Sequence, residues 1–214
     1  VTTTLQLSLY AAVFDAAMRG NLDWPGDALT LTLHTAAYGP DVTAHTTVAD
    51  LTDELTTGDG YTVGGTTLAS ATSTVVAASA WPVTRADATA YATGEVVRPA
   101  AANNRIYRCV TAGTTGTGAP TYPTTAGQTV TDGGVVWSCI GRAAVILGAA
   151  DLTPAWAAFS AGPFRHVVLS DRTPALASSQ PLIGVWTYAS DQVGGGGAFN
   201  IDFGGSGVIV LPVP

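Results

Sequence analysis

The chain has two cysteines, and each stands two positions after an aromatic residue. Tyr107 precedes Cys109 in "RIYRCVTAG", and Trp137 precedes Cys139 in "GVVWSCIG". Two thiols can ligate a metal, cycle as a redox pair, attack a substrate, form a staple or lie buried. A structural zinc site needs four ligands, usually in close pairs. The three histidines, His34, His45 and His166, are far apart in sequence and do not complete such a set. There is no CxxC motif, and nothing marks a histidine as the base a cysteine nucleophile needs. Two readings remain: a disulfide between Cys109 and Cys139, or two free buried thiols, as a reducing compartment favours. A bond closing that loop would contribute about 3 kcal/mol. The matched frames predict neighbouring strands with the cysteines and aromatics on one face.

Carboxylate chemistry has less to work with. Asp50, Asp53 and Glu54 cluster, but as one-turn neighbours on a solvated face. A glycosidase needs two carboxylates flanking a cleft, and the only glutamates, Glu54 and Glu95, are set together by no motif. No GxSxG, HExxH, P-loop or dinucleotide fingerprint occurs. "VGGGGA" lacks the strand-to-helix setting that gives such a run meaning. We expect no enzyme activity, no metal and no cofactor. Tyr91, Tyr107, Tyr122 and Trp137 fit two roles: an exposed platform stacking on sugar rings, or the core of a module short of aliphatics.

The elements that would position these residues are mostly strands. "TLQLSLYAAVFDAAMRG" (4–20) has helical spacing and a glycine stop. "ALTLTLHTAAY" (28–38) alternates, with Leu29, Leu31 and Leu33 on one face and Thr30, Thr32 and His34 on the other, which predicts a half-buried strand. "TTVADLTDEL" (46–55) predicts a short helix capped by Thr46 or Thr47, and "GDGYTVGG" (58–65) a glycine turn into a strand. "TSTVVAAS", "RAAVILGA", "WAAFSAG", "FRHVVLSD", "PLIGVWTYA", "AFNIDFG" and "GVIVLPV" read as short strands bounded by turn residues. That spacing predicts a mainly β protein: an antiparallel sandwich-like domain with an N-terminal helix. Gly194, Gly195, Gly196 and Gly197 form a glycine-rich hairpin tip suited to docking on another protein.

Residues 86–142 stand apart. They hold four of the eight arginines (98, 105, 108, 142) and three acids (87, 95, 132), a net of +1 that leaves −8 to the rest. A loop as long as "AGTTGTGAPTYPTTAGQT" belongs to a small module rather than to a bare connection. We expect residues 86–142 to be an inserted β module and residues 1–85 and 143–214 to be a discontinuous host domain.

Composition bounds the function. Only 11% of residues are charged and none is lysine, against about 25% charged in an average soluble domain. Either the surface is covered by other protein, or the codon usage of a GC-rich genome has thinned the lysines. A net charge of −7 argues against nucleic acid, which needs clustered cations. No apolar run is long enough for a membrane helix, and "VTTTLQLSLY" lacks the basic n-region of a signal peptide.

The inserted stretch, "AYATGEVVRPAAANNRIYRCVTAGTTGTGAPTYPTTAGQTVTDGGVVWSCI", resembles a small β module common in tailed-phage structural proteins. The matching positions are Tyr91, Gly94, Glu95, Val97, Tyr107, Cys109, Ala112, Gly113, Gly116, Pro120, Pro123, Asp132, Gly133 and Trp137. It is also distantly similar to type 3 chitin-binding modules, which hold sugars on exposed, often paired aromatics; no such aromatic pair is present here. The remainder resembles phage virion proteins through "LDWPGDALTLTLHTAAYGPDVTAHTTVADLTDEL", "GDGYTVGGTTL" and the closing "PLIGVWTY…FNIDFGGSGVIVLPV". The two resemblances together span nearly the whole chain. They imply a virion structural subunit, first a homo-oligomeric capsid decoration (cement) protein on the head surface, with the major capsid protein or other virion proteins as partners. The alternative is a tail-associated adhesin that binds a surface glycan through the insert.

Overall fold

The computed structural model describes residues 7–81, 83–203 and 207–213. In chain order the elements are β1 (Leu7–Leu9), α1 (Ala11–Met18), β2 (Leu29–His34), β3 (Thr66–Thr67), β4 (Thr72–Ala77), β5 (Ala90–Tyr91), β6 (Val96–Val97), β7 (Ile106–Thr111), β8 (Gly113–Thr114), β9 (Thr129–Asp132), β10 (Val135–Gly141), β11 (Ala143–Gly148), β12 (Leu152–Phe159), β13 (Phe164–Asp171), β14 (Leu182–Gln192), β15 (Gly197–Ile201) and β16 (Ile209–Val213). The protein is mainly β, its strands pair antiparallel in several sheets, and α1 is the one α-helix among the described residues, consistent with a sandwich-like fold.

The chain divides into two compact units. One comprises residues 7–71 and 149–202 and is built on a five-stranded sheet, β1-β14-β13-β2-β3, with a separate β12-β15 ribbon. The periodicity of 4–20 predicts one helix, but Leu7–Leu9 instead pairs with Trp186–Gly184 as β1, and the helix begins only at Ala11. Residues 4–6 of that expectation lie outside the described residues. Gly20, with φ +72, follows the helix's end as expected. The short helix expected over 46–55 contracts to one 3-10 turn, Val48–Asp50, with Thr47 and Asp50 forming a capping box. β2 departs from expectation more deeply: all six of its residues are buried, the Thr/His face included. β2 is central, hydrogen-bonded to β13 on one side and β3 on the other, and Tyr10 and Tyr38 lie in the core over its polar face.

The other unit contains residues 72–148 and 207–213. It holds the sheets β6-β7-β10-β9 and β16-β11-β4 and the small pair β5-β8. The unit is larger than the 86–142 module read from the sequence, because strands expected in the host share its cores. Adjacent residues of β6 and β7 face opposite ways. Val97, Tyr107 and Cys109 enter one cluster with Trp137, while Val96 and Ile106 enter another with Ala78, Trp81 and Ala144. Burial on both faces of β6 and β7 therefore ties β4, β11 and β16 to the module.

Candidate functional site

β7 and β10 pair antiparallel, as the matched frames predict. The register sets Trp137 across from Cys109 and Cys139 across from Tyr107. The two cysteines are thus one diagonal step apart, not directly opposed, a separation beyond the reach of a disulfide. Both are free and buried, and the staple is not formed. Burial, with Glu95 adding to it, pushes the Cys109 thiol up to about 11, so neither redox nor nucleophilic use fits the site.

The aromatics proposed as a sugar platform are turned inward. Tyr91, Tyr107 and Trp137 are buried in one cluster and Tyr122 packs half-buried against it. The Tyr91 and Trp137 rings meet edge-to-face at 5.0 Å, and those of Tyr107 and Tyr122 meet at a tilt at 4.6 Å. The Tyr107 hydroxyl donates to the Pro123 carbonyl at 2.6 Å and accepts from Asn103 Nδ2, also at 2.6 Å. The "Tyr…Tyr…Trp" order is therefore the order of a core.

A buried ion pair that no sequence motif revealed closes this module. The Arg85 Nε and Nη2 groups donate to Asp132 at 2.9 and 2.7 Å, and the two side chains are 3% and 1% exposed. Asp132 also accepts from the Trp137 indole at 3.0 Å and from the Gly116 backbone at 3.0 Å. Arg85 further bonds Asp87 and the carbonyls of Gly116 and Gly118. Burial pushes the Asp132 carboxyl upward, but Arg85, Trp137 and Gly116 outweigh it and hold the group below its ordinary value. A boundary at residue 86 would sever this clamp. Arg85 belongs with the module, and only its 47-residue separation from Asp132 concealed that.

The histidines, scattered in sequence, converge on Tyr38. The His34, His45 and His166 ring centroids lie 5.0, 5.7 and 5.8 Å from that of Tyr38. His34 and His166 are cross-strand partners on β2 and β13. His34 Nδ1 donates to the Thr52 carbonyl at 2.7 Å, leaving Nε2 to accept from Thr32 at 2.9 Å. Tyr10 donates to Tyr38 at 2.8 Å, and Tyr38 donates to His45 Nδ1 at 3.2 Å. Burial lowers the pKa of both His34 and His166, keeping both rings neutral. The hydroxyl at the centre of the cluster, Tyr38, is held between Tyr10 and His45, and burial raises its pKa. Among the described residues no group of His, Cys, Asp or Glu is arranged to hold a metal. Asp50 caps its 3-10 turn, and Glu54 accepts from Tyr61 and from the Gly64 backbone, each at 2.7 Å; these two acids therefore serve turns.

Two exposed features remain. The glycine run is partly held by its own chain: Gly194 donates to Ala161 at 2.9 Å and Gly196 to Phe159 at 2.8 Å. A Cβ at Gly194 would overlap the Phe159 carbonyl, so glycine serves close packing there, and Gly195–Gly197 are the exposed portion. The second feature is β4, the outer strand of its sheet among the described residues, with Val75 74% exposed. Residues 60–84 contain no charged side chain, and β4 pairs with β11 without a bulge. Among the described residues it thus carries none of the charges or bulges that protect sheet edges from other strands. No helix among the described residues is long and apolar enough to cross a membrane. No family model, no curated protein and no solved structure matches this chain.

Proposed function

We propose that the chain is a non-enzymatic structural subunit of a tailed-phage particle, and within it a capsid decoration protein bound to the outer head lattice as a homo-oligomer. The observation that supports this best is the edge of β4 that no other described strand pairs with. A charge-free, unbulged outer strand with an exposed Val75 suits strand addition by a neighbouring virion protein. The low charge content fits extensive protein contact in the same way. The tail-adhesin alternative relied on an aromatic platform, and Tyr91, Tyr107 and Trp137 are core residues instead.

Immunogold labelling of intact particles with antibodies to this chain tests the proposal. Gold spread over the head is the expected result, and gold confined to the tail would discard the decoration role. Rebinding to particles depleted of the chain adds a residue-level arm. Wild-type protein should rebind, and Val75→Asp should not. Equal rebinding of the two would remove β4 from the interface.

A further inference from the structure

The geometry points to an oxyanion-binding cleft at the end of the β7–β10 ladder, gripped by Arg105 and Arg142. It takes one carboxylate- or phosphate-bearing group of about monosaccharide size. This assignment is independent of the virion reading.

The ladder register brings the two arginines together. Ile106 pairs with Gly141, so Arg105 and Arg142 flank the last pair from opposite strands. Like charges facing each other across strands are destabilising, and here no acid intervenes. Among the described residues neither arginine is within ion-pair distance of a carboxylate. The cleft between them has a volume of about 380 Å³ and is completed by Thr124, Thr125, Ala126 and Gly141, with no acidic side chain in its wall. That volume falls within the range of small-molecule sites.

The two guanidiniums are prepared differently. Arg105 is fixed by Nε donating to the Thr124 carbonyl at 2.7 Å and Nη1 donating to the Asn104 carbonyl at 2.9 Å. Its Nη2 group makes no hydrogen bond within the described residues. Arg142 is exposed. Its backbone carbonyl is anchored by the Ala78 N–H at 2.7 Å, while its side chain has no partner among the described residues. One pre-set and one adjustable guanidinium, with Thr124 and Thr125 in the wall, match the charge and donor pattern that carboxylates and phosphates require. The charge setting agrees: this unit has five arginines against three acids, whereas the other has three arginines against twelve. An anion is therefore drawn to this unit of an otherwise acidic chain.

The test is isothermal titration of the full chain with glucose 6-phosphate, inorganic phosphate, glucuronate and glucose. At least one oxyanion probe should bind and glucose should not; which probe binds tells phosphate from carboxylate as the group selected. Arg142→Gln should weaken that binding about tenfold or more, the loss of one charge-assisted contact. Arg19→Gln, an equal charge change in the other unit, should leave it unaltered. Arg142 makes no side-chain hydrogen bond or ion pair among the described residues, and continued shielding of Cys109 and Cys139 from a thiol reagent verifies that the variant is folded. Failure of every oxyanion to bind at about 10 mM, a level at which even millimolar affinity registers, would overturn the assignment. So would binding that survives Arg142→Gln, or that falls equally in Arg19→Gln.

Discussion

Replacing Asp132 with alanine should open the module while leaving the other unit folded. The wild-type carboxylate receives four donors: Arg85 Nε and Nη2, the Trp137 indole and the Gly116 N–H. Removing it leaves a guanidinium that is 3% exposed without its main counter-charge. Breaking a buried pair in this way costs roughly 3–5 kcal/mol. The stranded indole and backbone N–H groups add to that, though not additively, for a total of about 5 kcal/mol. That is comparable to the whole stability of a small domain. The assay is built into the chain, because both thiols lie buried in this unit and none in the other. Their reaction with an aromatic disulfide reagent at pH 8 tracks opening of the module. A 5 kcal/mol loss raises the open population by roughly 10³- to 10⁴-fold, and the labelling rate rises with it until opening itself limits. A rise below about tenfold, equivalent to 1.4 kcal/mol, would refute the clamp as the module's main support. Acid should act by the same route. The folded Asp132 pKa is held below the ordinary value, so its contribution is complete above about pH 3.9 and disappears as pH falls through the folded value.

Other outcomes follow from the same geometry. Titration of the denatured chain without reductant should find two reactive thiols, and reductant should leave the melting temperature unchanged; fewer than two thiols would restore the staple. His34 and His166 have folded pKa values lowered by burial, so their contribution is complete above about pH 6.5 and is lost as pH falls below it. The slope is at most about 1.4 kcal/mol per pH unit for each ring; His166→Gln should flatten the pH profile of unfolding, and an unchanged profile would exclude His166 as a contributor. Gly64 and Gly65 both have positive φ, but a Cβ at Gly65 would overlap the Leu31 carbonyl whereas one at Gly64 meets nothing. Gly64→Ala should therefore cost about 1–2 kcal/mol of backbone strain and Gly65→Ala clearly more, measured by denaturant unfolding; equal costs would show that the turn relaxes.

What could be read from the sequence was what depends on near neighbours. Alternation located most strands, and the Tyr-x-Cys and Trp-x-Cys frames correctly placed β7 beside β10. That their aromatics share one face followed from the same period of two, but the frames could not choose between a core and an exposed platform. That choice depends on Val97, Val135 and Tyr91 closing over them. β2 was misjudged for a related reason. Thr30, Thr32 and His34 look solvent-facing until Thr67 pairs with Thr30, Thr32 with His34, and Tyr38 and the Thr52 carbonyl with His34. Arg85–Asp132 and Arg105–Arg142 lay beyond reach, because both depend on register between distant segments rather than on any local pattern.

The pairing of β11 with both β4 and β16 also sets an order of events on the ribosome. β4 and β11 enclose the module in sequence, so its cluster around Trp137 can close as soon as residue 148 has emerged. β16 must wait for about sixty further residues, which at 5–20 residues per second is several seconds. During that interval β11 keeps one side bare, and for its first third, until β13 (Phe164–Asp171) has emerged, β2 lacks its partner too. The nascent chain thus exposes two sticky strands at once, and a chaperone that shields extended apolar segments would find its binding window there.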